Sequence, residues 1–150
     1  MWALVTGATS GIGAEFTKLL AKEHYDIILV ARDEIRLKKS AEELENEFGV
    51  ATEIIIADLS IENEIIKVEQ RLLTTDPSLA VGVLINNAGY GLKGRFINHN
   101  SAAEVDLLNV LVTAVLRLTH AALPNMRNAK SGYIINVGSV AGWLSSSTYS

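Results

Sequence analysis

Thr6-Gly7-Ala8-Thr9-Ser10-Gly11-Ile12-Gly13 is the stretch on which the reading of the fold turns. It follows an apolar run at residues 2–5 and opens an amphipathic run at residues 14–22. Strand, glycine-rich turn, helix is the context in which such a motif becomes a nucleotide site. Glycine lacks a Cβ, so it allows positive φ and lets the backbone approach a pyrophosphate closely. The helix that follows aims unpaired N–H groups and a positive dipole end at that anion. The plainer alternative is a tight strand-to-helix turn that holds no ligand.

Outward from this turn, strand and helix patterns alternate. Residues 27–31 form a continuous apolar run, as expected of a parallel strand buried on both faces. Residues 33–48 are charged, with apolar positions at Ile35, Leu37, Ala41, Leu44 and Phe48, and read as a surface helix stopped by Gly49. Residues 53–57 are a third strand, and residues 61–73 a helix that ends before Asp76-Pro77. Residues 81–85 are a fourth strand. A long helix spans residues 101 to about 122, with Pro124 near its end, and a fifth strand covers residues 133–137. This alternation predicts one α/β domain over residues 1–150 with a doubly wound, parallel, Rossmann-like sheet. The polar loop at residues 89–100 follows a strand's carboxyl end, where open α/β sheets hold their ligands.

Composition narrows the function. The 150 residues suffice for one domain, and 49% hydrophobic residues fit a globular chain. A net charge of −4 gives no reason to propose a nucleic-acid surface. The absence of cysteine excludes disulfides, thiolate metal sites and a thiol nucleophile, and is compatible with a reducing cytoplasm, the expected location. His24, His99 and His120 are scattered and predict no metal site. No apolar run suggests a membrane span, and the N-terminus reads as a first strand rather than a signal peptide.

Further motifs follow the later strands. Arg32 comes directly after the second apolar run, where a guanidinium can pair with the 2′-phosphate of NADP. The neighbouring Asp33 keeps NAD open, because a carboxylate there can accept from a ribose hydroxyl, and Arg32 could be a plain solvated charge. Asp58-Leu59 closes the third strand. Asp58 either accepts from the adenine amino group or caps the next helix, although Ser60 is the better cap candidate. Asn86-Asn87-Ala88-Gly89 follows the fourth strand, and its adjacent amides can bridge loops and hold the glycine turn. Asn109 lies on or beside a stripe that includes Val105, Leu108, Val112, Val115 and Leu116. A buried amide costs about 1–3 kcal/mol if left unpaired, so Asn109 needs partners, structural or functional. Ser139 lies at the carboxyl tip of the fifth strand and is either a turn serine or a group facing the cleft.

The ordered set TGATSGIG, VAR, ADL, NNAG, Asn109 and INVGSVAG resembles the short-chain dehydrogenase/reductase family across nearly the whole chain. In particular, the glycine spacing G-x-x-x-G-x-G is that family's variant of the dinucleotide fingerprint. The resemblance implies that the chain corresponds to the N-terminal part of such an enzyme, up to the start of its Y-x-x-x-K motif. Gly7, Thr9, Ser10, Gly11, Ile12, Gly13, Arg32, Asp58, Leu59, Asn87, Ala88 and Gly89 are then the cofactor-binding residues. Asn109, Ser139 and Tyr149 match three of the family's four catalytic residues. The fourth, a lysine, is expected one helical turn after Tyr149, past Ser150.

That lysine matters chemically. A free tyrosine has a pKa of about 10, and a neighbouring ammonium lowers it toward a useful range. The resemblance therefore implies an NADP-dependent oxidoreductase in the intact protein, with NAD as the alternative cofactor. It would interconvert a small-molecule alcohol and a carbonyl, and form a homo-oligomer. The other reading is a non-catalytic nucleotide-binding fragment or remnant that lacks the lysine. The 150-residue chain on its own is expected to expose apolar surface and to self-associate.

Overall fold

The computed structural model describes residues 1–140. Five parallel strands form one sheet: β1 (Trp2–Thr6), β2 (Asp26–Ala31), β3 (Thr52–Ile56), β4 (Val81–Asn86) and β5 (Tyr133–Asn136). Their spatial order is β3-β2-β1-β4-β5, the doubly wound arrangement expected from the alternation. The order reverses at β1, so a crevice opens beyond the carboxyl ends of β1 and β4.

Side-chain alternation along the strands splits the core in two. On one face Ala3, Val5, Ile27, Leu29, Val83 and Ile85 pack against Ala21 of α1 (Gly11–Lys22) and Leu37, Ala41 and Leu44 of α2 (Glu34–Phe48). On the other, Leu4, Ile28, Val30 and Leu84 meet Ile65, Val68 and Leu72 of α3 (Glu62–Leu72) and the long helical segment after β4. Both faces of the central strands are therefore dry, which is why they read as unbroken apolar runs.

The long segment departs from expectation in several ways. It runs from Ser101 to Ala129 as α4 (Ser101–Leu108), a π-helical turn (Asn109–Thr113) and α5 (Ala114–Ala129), and it continues past Pro124. The residues it buries are Leu107, Val110, Ala114, Leu118, Ala121, Ala122 and Met126. The stripe read from sequence is mostly outward: Val105, Leu108, Val112 and Leu116 are exposed, the last at 69%. Apolar residues surround this helix almost completely, so periodicity alone does not choose a face. The π turn then adds a residue to one turn and shifts the register. This helix is also long and apolar enough, by length and composition, to cross a bilayer, contrary to the reading from sequence. In the fold its inward face lies on the sheet instead.

The start of α3 is a second correction. Ile61, not Ser60, holds the cap position, and no side chain caps the helix. Asp58 does not cap it either. Its carboxylate accepts from the Ser60 N–H and hydroxyl at 2.9 and 2.8 Å, closing a turn within the loop.

Candidate functional site

The glycine turn is shaped by close contact. Gly7 sits at φ +66°, and a Cβ there would meet Asn87 Nδ2 at 2.9 Å. A Cβ on Gly13 would lie 2.2 Å from the Gly7 carbonyl oxygen and 2.4 Å from Asn87 Nδ2. α1 therefore starts pressed against the end of β1, a packing that only glycine permits. Ser10 makes no side-chain cap bond, and the first turn of α1 has no acidic residue. The first N–H groups of α1 have no acceptors within the helix and no capping side chain, and the helix starts directly after Ser10, which lines the cleft described below.

Thr6 fastens this turn to β4. Its buried hydroxyl donates to the Ile85 carbonyl at 3.3 Å and accepts from the N–H groups of Asn87 and Ala88 at 2.9 and 3.0 Å. Asn87 Nδ2 donates to the Thr6 and Gly7 carbonyls at 3.0 and 3.4 Å. Asn86 Nδ2 donates instead to Asn136 Oδ1 at 2.9 Å and Thr119 Oγ1 at 3.2 Å, tying β4 to β5 and α5. The two amides thus do the bridging expected of them. Thr6 is the part of the staple that sequence reading did not single out. Its only signal was its place at a strand end before the first glycine.

A cleft of about 450 Å³ lies over this crossing point. Of the residues expected to bind a cofactor, Gly7, Thr9, Ser10, Arg32, Asp58, Leu59, Ala88 and Gly89 line it. Gly11, Ile12, Gly13 and Asn87 do not; Gly13 and Asn87 instead hold the turn from behind. Arg36 and Val110 also line the cleft, although sequence reading passed over both. Arg36 looks like one more charge on a solvated helix, and only the placement of the first turn of α2 beside the β2 tip reveals it.

The cleft wall near β2 and β3 is charged. Arg32 Nη1 lies 3.5 Å from Asp58 Oδ2, and Arg36 Nε lies 3.5 Å from Asp33 Oδ2. Partial burial pushes the Asp58 carboxyl up. The Ser60 N–H and hydroxyl, with the Arg32 charge, outweigh that and hold it below the usual carboxylate range. Tyr90, across the cleft, moves the other way. Burial and the nearby Asp106 and Asp58 charges raise its pKa, so it remains a neutral phenol at physiological pH. The loop behind it is anchored by His99, whose ring nitrogens lie 2.6 Å from Glu104 Oε1 and 3.1 Å from the Lys93 carbonyl.

The three expected catalytic residues are placed unequally. Asn109 is half-buried at the start of the π turn, and its Nδ2 donates to the Ser60 carbonyl at 3.1 Å. It thereby joins the long helix to the β3–α3 loop. Ser139 is exposed past the tip of β5 and is not part of the cleft lining. Tyr149 lies outside the described residues.

These features fit a dinucleotide. An uncapped helix start behind a glycine turn suits a pyrophosphate, and guanidinium groups at the β2 tip suit a further phosphate. By fold and site this is a Rossmann-type nucleotide-binding domain. Residues 1–150 match the short chain dehydrogenase family profile, and the chain belongs to that family. It is 40% identical over 154 aligned residues to a very-long-chain 3-oxoacyl-CoA reductase of Laccaria bicolor, covering 99% of this chain and 45% of that protein. A human relative named inactive hydroxysteroid dehydrogenase-like protein 1 is 35% identical, over 92% of this chain and 42% of its own length. Among solved structures, a short-chain dehydrogenase of Sphingobium yanoikuyae in complex with NADPH superposes with a TM-score of 0.89. It is 39% identical, over 95% of this chain and 54% of that one. The chain thus spans about half the length of the proteins it matches.

Proposed function

We propose that the intact protein is an NADP-dependent oxidoreductase that interconverts an alcohol and a carbonyl by hydride transfer. The observation that carries this reading is the cleft at the β1/β4 crossing, with an uncapped helix start on one side and Arg32 on the other. Family membership and the NADPH-bound relative support it. The bound nicotinamide cofactor supplies the hydride. Gly7, Thr9, Ser10, Gly11, Ile12 and Gly13 form the turn that would receive its pyrophosphate. Arg32 would pair with the 2′-phosphate, and the Asp58-Leu59 edge would meet the adenine. Ala88 and Gly89 border the cleft toward β4, and Asn87 holds the glycine turn behind it.

Asn109 would position a water in a proton relay. Ser139 would hold the substrate oxygen, and Tyr149 would give or take its proton. The carbonyl compound to try first is a long-chain 3-oxoacyl thioester, the class named in the Laccaria relative. We place the protein in the cytoplasm, a location with which the cysteine-free composition of residues 1–150 is compatible, and as a homo-oligomer. The exposed Val105, Leu108, Val112 and Leu116 face favours self-association.

Tyr149→Phe in the full-length protein tests the reading. Turnover should vanish while NADPH binding persists; normal turnover would remove Tyr149 from the role. The relative named inactive favours a second reading, a nucleotide-binding protein without catalysis. NADPH binding by the wild-type full-length protein, with no turnover on any carbonyl tried, would select it.

A further inference from the structure

Arg32 is not the only cation on the cofactor cleft. Arg36 lines the same cleft from the first turn of α2, and Asp33 lies between the two arginines in sequence and lines it as well. Asp33 has two engagements. Oδ1 accepts the Arg36 backbone N–H at 3.0 Å, capping α2, and Oδ2 faces Arg36 Nε at 3.5 Å. A guanidinium has five N–H donors, and the pairs at Arg32 and Arg36 are both long, at 3.5 Å. Both arginines are mostly exposed, with side chains 70% and 65% accessible, so each can turn toward a new acceptor at little cost.

We propose that Arg36 is a second specificity residue for the cofactor's 2′-phosphate and that Asp33 is its built-in counter-ion, so that these two residues together set the balance between NADP and NAD. This rests on the reading of the cleft as a nicotinamide cofactor site with Arg32 at the 2′-phosphate. A phosphate presented at the β2 tip is a stronger acceptor than a solvated carboxylate 3.5 Å away, and it draws Arg36 off Asp33. Without that phosphate, Arg36 stays on Asp33, while the carboxylate remains able to accept from a ribose hydroxyl. Asp33 therefore disfavours NADP by its charge and lends some affinity to NAD. Arg36 works in the opposite sense.

The test measures NADPH and NADH dissociation constants for the full-length protein by nicotinamide fluorescence, with thermal melts to confirm folding. Arg36→Gln should weaken NADPH about tenfold and leave NADH within about twofold. Asp33→Ser keeps a capping side chain on α2 while deleting the charge, and should raise the NADPH-over-NADH preference several-fold. If Arg32→Gln weakens NADPH but Arg36→Gln does not, the Arg36 proposal falls and the NADP reading stands. If neither substitution changes NADPH affinity, the NADP reading falls and takes the proposal with it. Equal loss of both cofactors in Arg36→Gln would mean a structural role and overturn the specificity claim, as would an unchanged preference in Asp33→Ser.

Discussion

Two helices begin on the same cleft and end up with opposite chemistry. α1 starts at Gly11 with no capping side chain and no acid in its first turn, whereas α2 starts at Glu34 with Asp33 capping the Arg36 N–H at 3.0 Å. Both carry the same backbone dipole and the same unpaired N–H groups. In α2 one of those groups, the Arg36 N–H, is already served by the Asp33 carboxylate. In α1 no side chain serves them, and the glycine turn that leads into the helix, with Gly7 at φ +66°, lines the cleft through Gly7, Thr9 and Ser10. A helix start alone is therefore not a site. The side chains around it decide whether an external anion has a place.

The third residue of each helix gives the harshest way to break this contrast. In α1 it is Gly13, pressed against the Gly7 carbonyl; in α2 it is Arg36, largely exposed. Gly13→Val should cost about 3 kcal/mol or more and abolish NADPH binding, because the clash is with backbone and the turn must open. Arg36→Val should cost less than about 1 kcal/mol. Urea unfolding of both variants checks this, and similar losses would mean that the tight approach of α1 is not real.

Thr6 sharpens the same contrast from the sheet side. Its hydroxyl serves the Asn87 and Ala88 N–H groups at once, in a nearly inaccessible position. Thr6→Val keeps the shape and leaves both donors without that acceptor. A loss of about 2–3 kcal/mol is expected, together with faster hydrogen exchange at Asn87 and Ala88. A change below about 0.5 kcal/mol would show that water replaces the hydroxyl freely.

How much of this was legible beforehand depends on how locally each feature is encoded. The buried strands announce themselves as unbroken apolar runs, and residues 27–31 map closely onto β2, Asp26–Ala31. The glycine turn is equally local, because glycine spacing carries its own steric reason. The buried face of the long helix is not, since apolar residues nearly surround it and a π turn resets the register at Asn109. Arg32 could be suspected from its adjacency to a strand end. Its partner Asp58, 26 positions later in the chain, is beside it only because β2 and β3 are neighbours in the sheet. Arg36 needed the same spatial information, since in sequence it is one of several charges in α2 that include the Glu34–Lys38 pair.

Ser10→Asp converts the α1 start into a copy of the α2 start. A carboxylate at the cap position should raise stability by about 0.5–1 kcal/mol, since it serves the free N–H groups and the dipole. It should also weaken NADPH and NADH alike, by about tenfold or more, because it puts a negative charge where the pyrophosphate belongs. Stability and affinity moving in opposite directions is the signature. If affinity is unchanged, the α1 start is not the pyrophosphate site.

The start of α3 is the intermediate case, and it yields the smallest effect. Here the carboxylate belongs to Asp58, which folds back on Ser60 and reaches Arg32, while Glu64 of α3 accepts the Asp58 N–H. Folding lowers the Asp58 pKa. Its stabilising contribution is therefore fully present above the unfolded aspartate value of about 3.9, and it is lost as pH falls through the lower folded value. The stability difference between wild type and Asp58→Asn should be constant from about pH 5 to 7 and shrink below about pH 4, because the protonated acid then resembles the amide in charge. Urea midpoints at half-unit pH steps would reveal this. A gap that stays constant down to pH 2.5 would mean that Asp58 contributes through shape rather than charge, and that the Arg32 pair at 3.5 Å does not hold the guanidinium at the cleft wall.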